Sequence, residues 1–158
     1  MNSFTAGIIV IGDEILSGRT KDPNTNFIAK NLLKEGIKLE EVIVIKDDKK
    51  TIIDRVLNYS EKYSYVFTTG GIGPTHDDIT SESISEAFNL KYEINEEAYK
   101  ILDNYYPKGE FNESRQRMAK MPINCELILN PMTAAPGFKI KNVYVLPGVP
   151  EIMQIMFL

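Results

Sequence analysis

The segment TTGGIGPTHDDIT, residues 68–80, combines residue types that an ordinary turn between a strand and a helix does not need. It contains three glycines, Gly70, Gly71 and Gly73, and two aspartates, Asp77 and Asp78. Glycine lets backbone N–H groups approach a phosphate closely, and the start of a helix adds the positive end of its dipole. The segment is therefore interpreted as a cradle for a phosphate or pterin-like ligand.

Acidic side chains also follow the other predicted strands of the first half of the chain. Glu14 comes shortly after the first strand, and Asp47 and Asp48 come directly after the second. In an open α/β sheet, ligands bind outside the carboxyl ends of the strands, so these side chains are expected on one rim. Carboxylates repel phosphate, and their presence makes sense if a divalent cation lies between the two.

Each of these features also has a simpler interpretation. Asp78 or Thr80 is suited to cap the helix that follows, and Asp47 and Asp48 are suited to a solvated strand end. His76, which is the single histidine, is interpreted as a loop residue because one histidine cannot build a histidine-rich zinc site. The glycine pattern is neither a Walker loop nor a G-x-G-x-x-G fingerprint, so neither an ATPase nor a dinucleotide dehydrogenase is indicated.

The first 90 residues alternate between short apolar runs and amphipathic segments. Strands are predicted at 7–11, 41–45 and 65–69, and helices at 24–36, 49–63 and 80–89. A cap is expected from Asn24, Thr25 or Asn26 at the start of the first helix. This alternation is typical of right-handed βαβ crossovers and a parallel sheet.

The second half of the chain is less regular. Helices are predicted at 96–106 and 112–121, a strand at 125–129, and a hairpin at 138–146 that turns at Lys141 and Asn142. Pro150 is expected in the first turn of a last helix, within which we expect the chain to be truncated.

Composition narrows the class of protein. The 158 residues are 43% hydrophobic and 25% charged, which suits a single globular domain over residues 1–158. The net charge of −4 and the absence of a basic block argue against a nucleic-acid partner. No apolar stretch is long enough for a membrane span, and no signal peptide is recognised, so we expect a cytoplasmic protein.

Several motifs together resemble a known family. IGDEILSG, NTN, KDD, TTGGIGPTHDDIT, NPMTAAPGF and LPGVPEIM occur in the order and spacing of the molybdopterin-binding (MoaB/Mog-type) domain. The branch they resemble is the one found at the N-terminus of CinA proteins and fused to some FAD synthases. The resemblance extends from about Gly7 to Met153 and implies a three-layer α/β/α fold with a mostly parallel sheet and a small β-hairpin.

The resemblance also implies a set of site residues. Asp78 matches the essential aspartate of the family, and either Asp47 or Asp48 matches its second acidic position. These three are the predicted catalytic residues, and Asp78 and Asp47 are the predicted ligands of Mg²⁺ or a similar ion. The predicted ligand-binding residues are Gly70, Gly71, Gly73, Glu14, Ser17, Asn26, Thr69, Pro147 and Gly148. The chain departs from the family pattern at Asn24, where many members have aspartate.

Three functions follow from this resemblance. The first is a metal-dependent nucleotide pyrophosphatase that cleaves ADP-ribose, or FAD, and releases AMP. The second is adenylyl transfer to molybdopterin in molybdenum cofactor biosynthesis. The third is a non-catalytic module that binds a pterin or nucleotide. Because related proteins form dimers or trimers, a homo-oligomer is expected.

Overall fold

The computed structural model describes residues 4–18 and 21–157, and in them a central sheet lies between two layers of helices. The strands are β1 (Thr5–Ile11), β2 (Lys38–Ile45), β3 (Tyr65–Thr69), β4 (Tyr92–Ile94), β5 (Lys120–Pro122), β6 (Glu126–Ile128), β7 (Gly137–Ile140) and β8 (Val143–Leu146). The helices are α1 (Asp13–Leu16), α2 (Asn24–Lys34), α3 (Lys49–Lys62), α4 (Thr80–Ala87), α5 (Glu96–Tyr105), α6 (Glu113–Gln116) and α7 (Pro150–Phe157).

Six of the strands form the central sheet in the order β2-β1-β3-β8-β7-β6. The first four are mutually parallel, and β7 and β6 are antiparallel to their neighbours. The predicted hairpin is confirmed as β7 and β8, and its turn includes Lys141 with a φ of 53°. The sheet is therefore mostly parallel, as the alternating pattern of the sequence predicted.

Both faces of the sheet are covered, which explains why β1 has no polar side chain from Ala6 to Ile11. Ile9 and Ile11 pack in one cluster with Ile52 and Val56 of α3, whereas Ile8 and Val10 pack on the opposite face with α2 and α7. Alternate residues of a strand point to opposite faces, so a central parallel strand needs apolar side chains at every position. The two clusters form the two halves of the core.

One predicted helix is largely wrong. The segment 112–121 was predicted as a single helix, but α6 ends at Gln116, a 3₁₀ turn covers Arg117–Ala119, and β5 follows at once. The residue before a proline is disfavoured in helical conformation, and Pro122 follows Met121, which is buried. Strand β5 pairs with β4, which was not predicted, in a separate two-stranded antiparallel sheet.

The predicted cap of α2 is also wrong in detail. The side chains of Asn24, Thr25 and Asn26 do not cap this helix. Instead, the Asp22 carboxylate accepts hydrogen bonds from the backbone N–H of Asn24 at 3.2 Å and from the Thr25 hydroxyl at 2.5 Å. A carboxylate at a helix start satisfies orphan N–H groups and interacts favourably with the helix dipole.

Asn142, in the turn between β7 and β8, joins the hairpin to the C-terminal end of α3. Its side-chain N–H groups donate to the carbonyls of Ser60 and Tyr63, both at 2.9 Å, and its Oδ1 accepts from the Ser60 hydroxyl at 2.6 Å. Its own carbonyl accepts from the N–H of Val66 at the start of β3. One side chain thus satisfies helix-end carbonyls and aligns β8 beside β3.

We expect Asn142→Ala to lower the free energy of unfolding by about 2 kcal/mol, because three partly buried hydrogen bonds are lost and each contributes about 1 kcal/mol or less. Urea unfolding followed by circular dichroism measures the change. Asn104→Ala, at an exposed position of α5, is the matched control and should change stability by less than about 0.5 kcal/mol. Equal effects of the two substitutions would contradict this role.

Candidate functional site

The carboxyl ends of four parallel strands meet on one rim of the sheet, as predicted. The register pairs Thr69 of β3 with Val10 of β1 and with Leu146 of β8, and it pairs Ile11 with Ile45 of β2. The four loops that follow these residues therefore begin at nearly the same level. They contain the acidic and glycine-rich motifs of the sequence.

Gly70 and Gly71 make the turn out of β3, and both need to be glycine. Gly70 has a φ of 98°, and a Cβ there would collide with the backbone carbonyl oxygen of Ile11. Gly71 has a φ of 76°, and a Cβ there would collide with the Thr80 hydroxyl. L-residues with side chains rarely adopt such φ values. The pair lets the chain cross closely over the end of β1, and turns of this kind are suited to present N–H groups to an anion.

Thr80, the first residue of α4, fixes this turn from the other side. Its hydroxyl donates to the carbonyl of Gly70 at 3.0 Å, and its N–H donates to the carbonyl of Gly71 at 3.0 Å. Thr80 and Thr69 are both buried, so these bonds are shielded from water. The hydroxyl does not cap the helix, so Thr80 braces the glycine turn instead.

Asp78 is hydrogen-bonded within the loop that joins the glycine turn to α4. Its Oδ2 accepts hydrogen bonds from the N–H and the hydroxyl of Thr75, both at 2.9 Å. Gly73 lies beside it, since a Cβ there would be 2.8 Å from the same oxygen. Helix α4 begins without a side-chain cap, so the alternative that Asp78 caps this helix is not what the structure shows. The carboxylate is instead oriented by its own loop.

A cleft of about 440 Å³ lies at this rim and is strongly acidic. His76, Gly71, Ile11 and Ile79 contribute to its lining. The other five lining residues are the carboxylates Asp13, Glu14, Asp47, Asp77 and Asp78. Glu14 folds back over the end of β1, where its carboxylate lies against Gly12. The described residues that line the cleft include no lysine or arginine. No lysine or arginine of the described lining therefore balances its negative charge, although His76 Nε2 lies 3.5 Å from Oδ1 of Asp77.

Asp47 shows the electrostatic effect of this arrangement. Burial raises the pKa of its carboxyl above the ordinary value, and the nearby carboxylates of Asp13, Glu14 and Asp78 raise it further. A hydrogen bond from the backbone N–H of Asp13 acts in the opposite direction and favours the charged form. Like charges in a partly buried cleft disfavour ionisation, and a bound cation would relieve the repulsion.

Asp48, by contrast, points away from the cleft. Its Oδ2 accepts from the N–H of Thr51 at 3.0 Å and from the Thr51 hydroxyl at 2.7 Å, which caps α3. These bonds hold the pKa of Asp48 below its ordinary value. Of the two acids that the sequence left as alternatives, Asp47 is the one beside Asp78.

The remaining predicted ligand residues lie at different distances from the cleft. Pro147 and Gly148 follow β8, and Gly148 packs against Gly70, since a Cβ there would be 3.3 Å from the Gly70 Cα. Asn26 instead lines a separate depression with Lys21 and Lys30. Ser17 ends α1, and its N–H donates to the carbonyl of Asp13. The geometry therefore unites Glu14, Asp47, Gly71 and Asp78, whereas Ser17 and Asn26 are not among the residues that line the cleft.

Asn24, at the position where the resembled family often has aspartate, has a clear partner. It is buried, and its side-chain N–H donates to the carbonyl of Gly148 at 3.0 Å. An ionised aspartate has no hydrogen to donate at this place. The asparagine thereby ties the start of α2 to the loop that packs on Gly70.

The cleft suits a divalent cation in its chemistry but does not enclose one. Among residues 4–18 and 21–157, no three acidic, histidine or cysteine side chains converge to hold a metal ion. However, Mg²⁺ is usually held by one or two carboxylates, with waters and substrate phosphates completing its coordination. Asp47 and Asp78 fit such an incomplete set, which the ligand itself would complete.

The fold and the rim together define a class: an α/β/α domain with a cleft built from loops at the carboxyl ends of parallel strands. Solved structures share this architecture. The protein CinA of unknown function from Thermoplasma acidophilum superposes with a TM-score of 0.92 and 34% identity, covering 99% of this chain and 95% of that one. The tungsten cofactor synthesizing protein MoaB from Pyrococcus furiosus gives a TM-score of 0.60 at 20% identity, covering 99% and 89%, and shows the common fold alone.

The sequence comparisons identify the family. The profile described as a probable molybdopterin binding domain matches residues 7–158. A CinA-like protein of Flavobacterium psychrophilum is 39% identical over 94% of this chain and 37% of its own length. A protein named probable FAD synthase in Caenorhabditis elegans is 34% identical over 97% of this chain and 34% of its own length. The chain belongs to the molybdopterin-binding domain family, with CinA-like proteins among its relatives, and it spans about a third to two thirds of the curated relatives' length.

Asp13, like His76 and Asp77, lines the cleft but was not among the predicted catalytic or ligand-binding residues. The signal was present, because Asp13 follows β1 directly through Gly12, just as Asp47 follows β2 through Lys46. On its own, an Asp-Glu pair after a strand is unremarkable, and only the neighbouring loops give it a role. None of the helices in the described part of the chain is long and apolar enough to cross a membrane.

Proposed function

We propose that this domain is a metal-dependent nucleotide pyrophosphatase that cleaves ADP-ribose, or FAD, and releases AMP. The observation that carries the proposal is the cleft itself, in which a glycine turn suited to phosphate is joined to five carboxylates without a lysine or arginine in the described lining. A diphosphate would be repelled by such a lining unless cations accompany it. A substrate that arrives with a divalent ion brings a phosphate for the glycine turn and a cation for the carboxylates.

The glycine turn and two of the carboxylates have distinct parts in this proposal. The turn at Gly70 and Gly71 receives the phosphate, and its rigidity comes from the bonds that Thr80 makes to both carbonyls. Asp78 is oriented by Thr75 and Asp47 by Asp13, so both carboxylates are placed before substrate binds. Preorganised groups of this kind avoid the cost of reorientation during the reaction.

The reaction is a hydrolysis at the adenylyl phosphorus. A water oxygen forms a bond to that phosphorus, the bond to the bridging oxygen breaks, and ADP-ribose gives AMP and ribose 5-phosphate. A divalent cation supplies charge neutralisation and lowers the pKa of bound water when it is present. The Asp47 carboxylate, which the backbone N–H of Asp13 orients, is the group we assign to accept the proton of the attacking water.

Adenylyl transfer to a pterin is the second candidate, and the family description favours it. The matched profile is that of a probable molybdopterin binding domain. The same rim would then hold the pterin phosphate at the glycine turn. A protein that binds the pterin or a nucleotide without turnover would use the same residues, and the experiment below separates hydrolysis from these two alternatives.

The test is an AMP-release assay. The protein is incubated with ADP-ribose, FAD or a dinucleoside diphosphate, with Mg²⁺ or Co²⁺ and, in parallel, with a chelator, and AMP is measured by chromatography. We expect AMP from ADP-ribose only when the metal is present. AMP release that persists in chelator would contradict the metal requirement. Absence of AMP under all conditions would refute the pyrophosphatase and favour transfer or binding.

Asp47 and Asp48 are expected to differ in their effects on this activity. Asp47→Asn should lower kcat/KM for AMP release by about 100-fold or more, because a charged group of the cleft is lost. Asp48→Asn should keep the rate within about threefold, because asparagine is also a good helix cap and the side chain lies outside the cleft. Steady-state kinetics on the two variants checks this. A larger loss in Asp48→Asn than in Asp47→Asn would reverse the assignment.

The partners of the domain follow from the same proposal. A small nucleotide or pterin is the ligand, Mg²⁺ or a similar ion is the cofactor, and molybdopterin is the alternative ligand. Assembly into a dimer or trimer and residence in the cytoplasm stay predictions from the sequence. Sedimentation velocity of the purified protein measures the first of these.

A further inference from the structure

Asp13 and Asp47 make a reciprocal pair of hydrogen bonds across the rim. The backbone N–H of Asp13 donates to Oδ2 of Asp47 at 3.2 Å, and the backbone N–H of Asp47 donates to Oδ1 of Asp13 at 3.1 Å. Each carboxylate thus orders the other residue's backbone. Bonds between an N–H group and a charged acceptor are stronger than bonds between neutral partners.

These two bonds join the segments that follow β1 and β2, just beyond the last main-chain hydrogen bond between the two strands. Strand β2 is an edge strand with β1 as its one neighbour in the sheet, and at their ends the N–H of Gly12 donates to the carbonyl of Ile45. Asp47 lies two residues further along. There its side chain and its backbone N–H are both hydrogen-bonded to Asp13.

The same link sets the position of Asp47 relative to Asp78. Strand β1 lies between β2 and β3, so Asp13 is attached to the strand that separates the two acidic loops. Asp78 is already fixed within its own loop by Thr75. The relation between the two carboxylates therefore depends on what holds Asp47 to β1.

We propose that Asp13 is a positioning residue: its Oδ1, as a hydrogen-bond acceptor for the Asp47 N–H, holds the Asp47 carboxylate in register with Asp78. The acceptor oxygen carries this role, and the negative charge of Asp13 is not required for it. The inference rests on the proposed function, because the pair it aligns is the one assigned to the cation and the water.

Two substitutions separate the acceptor from the charge. Asp13→Asn keeps an acceptor Oδ1 and removes the charge, whereas Asp13→Ala removes both. Asp103→Ala, on the exposed surface of α5, is the control. The first measurement is the hydrogen-exchange rate of the Asp47 amide by NMR without ligand, with the Ile9 amide of the buried core as the reference for global unfolding. The second is the affinity for Mn²⁺ in the presence of AMP, by electron paramagnetic resonance of free Mn²⁺.

In Asp13→Ala we expect the Asp47 amide to exchange at least about fivefold faster with the Ile9 amide unchanged, because a local hydrogen bond is lost. We expect Mn²⁺ to bind at least about tenfold more weakly, as happens when residues that orient metal ligands are removed. Asp13→Asn should keep the Asp47 exchange rate within about twofold of the unsubstituted protein and restore most of the Mn²⁺ affinity.

Two results would overturn the proposal. In the first, Asp47 exchange in Asp13→Ala equals that of the unsubstituted protein. In the second, Asp13→Asn accelerates Asp47 exchange as much as Asp13→Ala does, which would assign the effect to charge. Neither depends on turnover, so failure to release AMP from ADP-ribose would refute the pyrophosphatase and leave the exchange result to decide on Asp13.

Discussion

Asp78→Asn is expected to lower metal-dependent AMP release by at least about 100-fold, which is the scale of losing a group that acts directly on the reaction. The fold should survive, because the asparagine Oδ1 still accepts from the N–H and the hydroxyl of Thr75. The loss should appear in both kcat and KM, since Asp78 is assigned to the cation that accompanies the phosphate. Steady-state kinetics and a thermal unfolding curve of the same preparation check both parts.

The control for Asp78→Asn is Asp54→Asn, an exposed aspartate of α3 outside the cleft. It removes the same charge from the protein and should leave the rate within about twofold. If Asp78→Asn loses activity only in proportion to a large fall in unfolding temperature, Asp78 is a brace of its loop and has no direct role in the reaction.

Gly70→Ala is expected to cause the largest loss of stability among the substitutions considered, at least about 3 kcal/mol, from overpacking together with an unfavourable φ. The added methyl group would meet the backbone carbonyl of Ile11, which cannot rotate away as a side chain does. The strain would fall on β1, the strand between the two acidic loops. Urea unfolding followed by circular dichroism gives the change in the free energy of unfolding.

Gly36→Ala is a matched control for the backbone conformation. Gly36 has a φ of 74°, and a Cβ there would have no neighbour within 4 Å. Its substitution should cost about 1 kcal/mol, the expense of the left-handed conformation alone. The difference between the two substitutions isolates the contact with Ile11. If Gly70→Ala costs no more than Gly36→Ala, the close crossing of the glycine turn over β1 is not rigid.

The sequence predicted the parallel part of the fold well because the pattern of apolar residues there matches the pattern of burial. Strand β1 is apolar on both faces, α3 buries Ile52, Val56 and Tyr59 at helical spacing, and β3 was predicted with its observed bounds. In such segments local pattern and tertiary environment agree. The rim followed from the topology, since the carboxyl ends of parallel strands have to meet at one edge.

The smaller sheet could not be predicted in the same way. Strands β4 and β5 have three residues each and are stabilised by pairing with one another across 25 or more residues of sequence. Their pairing depends on tertiary contacts, and the local pattern of 112–121 favoured a helix. Only the proline after Met121 indicated that the helix had to end.

The choice between Asp47 and Asp48 could have been made from the sequence, because the spacing of a helix cap distinguishes them. Asp48 precedes Thr51 by three residues, which is the spacing of a side chain that caps a helix start. That spacing assigns Asp48 to α3 and leaves Asp47 for the cleft. The role of Asp13, in contrast, needed the structure, because its partner lies 34 residues away along the chain.

We expect a nucleotide and a divalent cation to bind together at the rim between Asp47 and Asp78. Paramagnetic broadening of amide NMR signals by Mn²⁺, with and without AMP, tests it most directly. We expect AMP-dependent broadening centred on residues 12–14, 46–48 and 70–78, and its loss in Asp78→Asn. Broadening centred instead on the depression that contains Lys21, Asn26 and Lys30, or no AMP-dependent broadening at all, would contradict it.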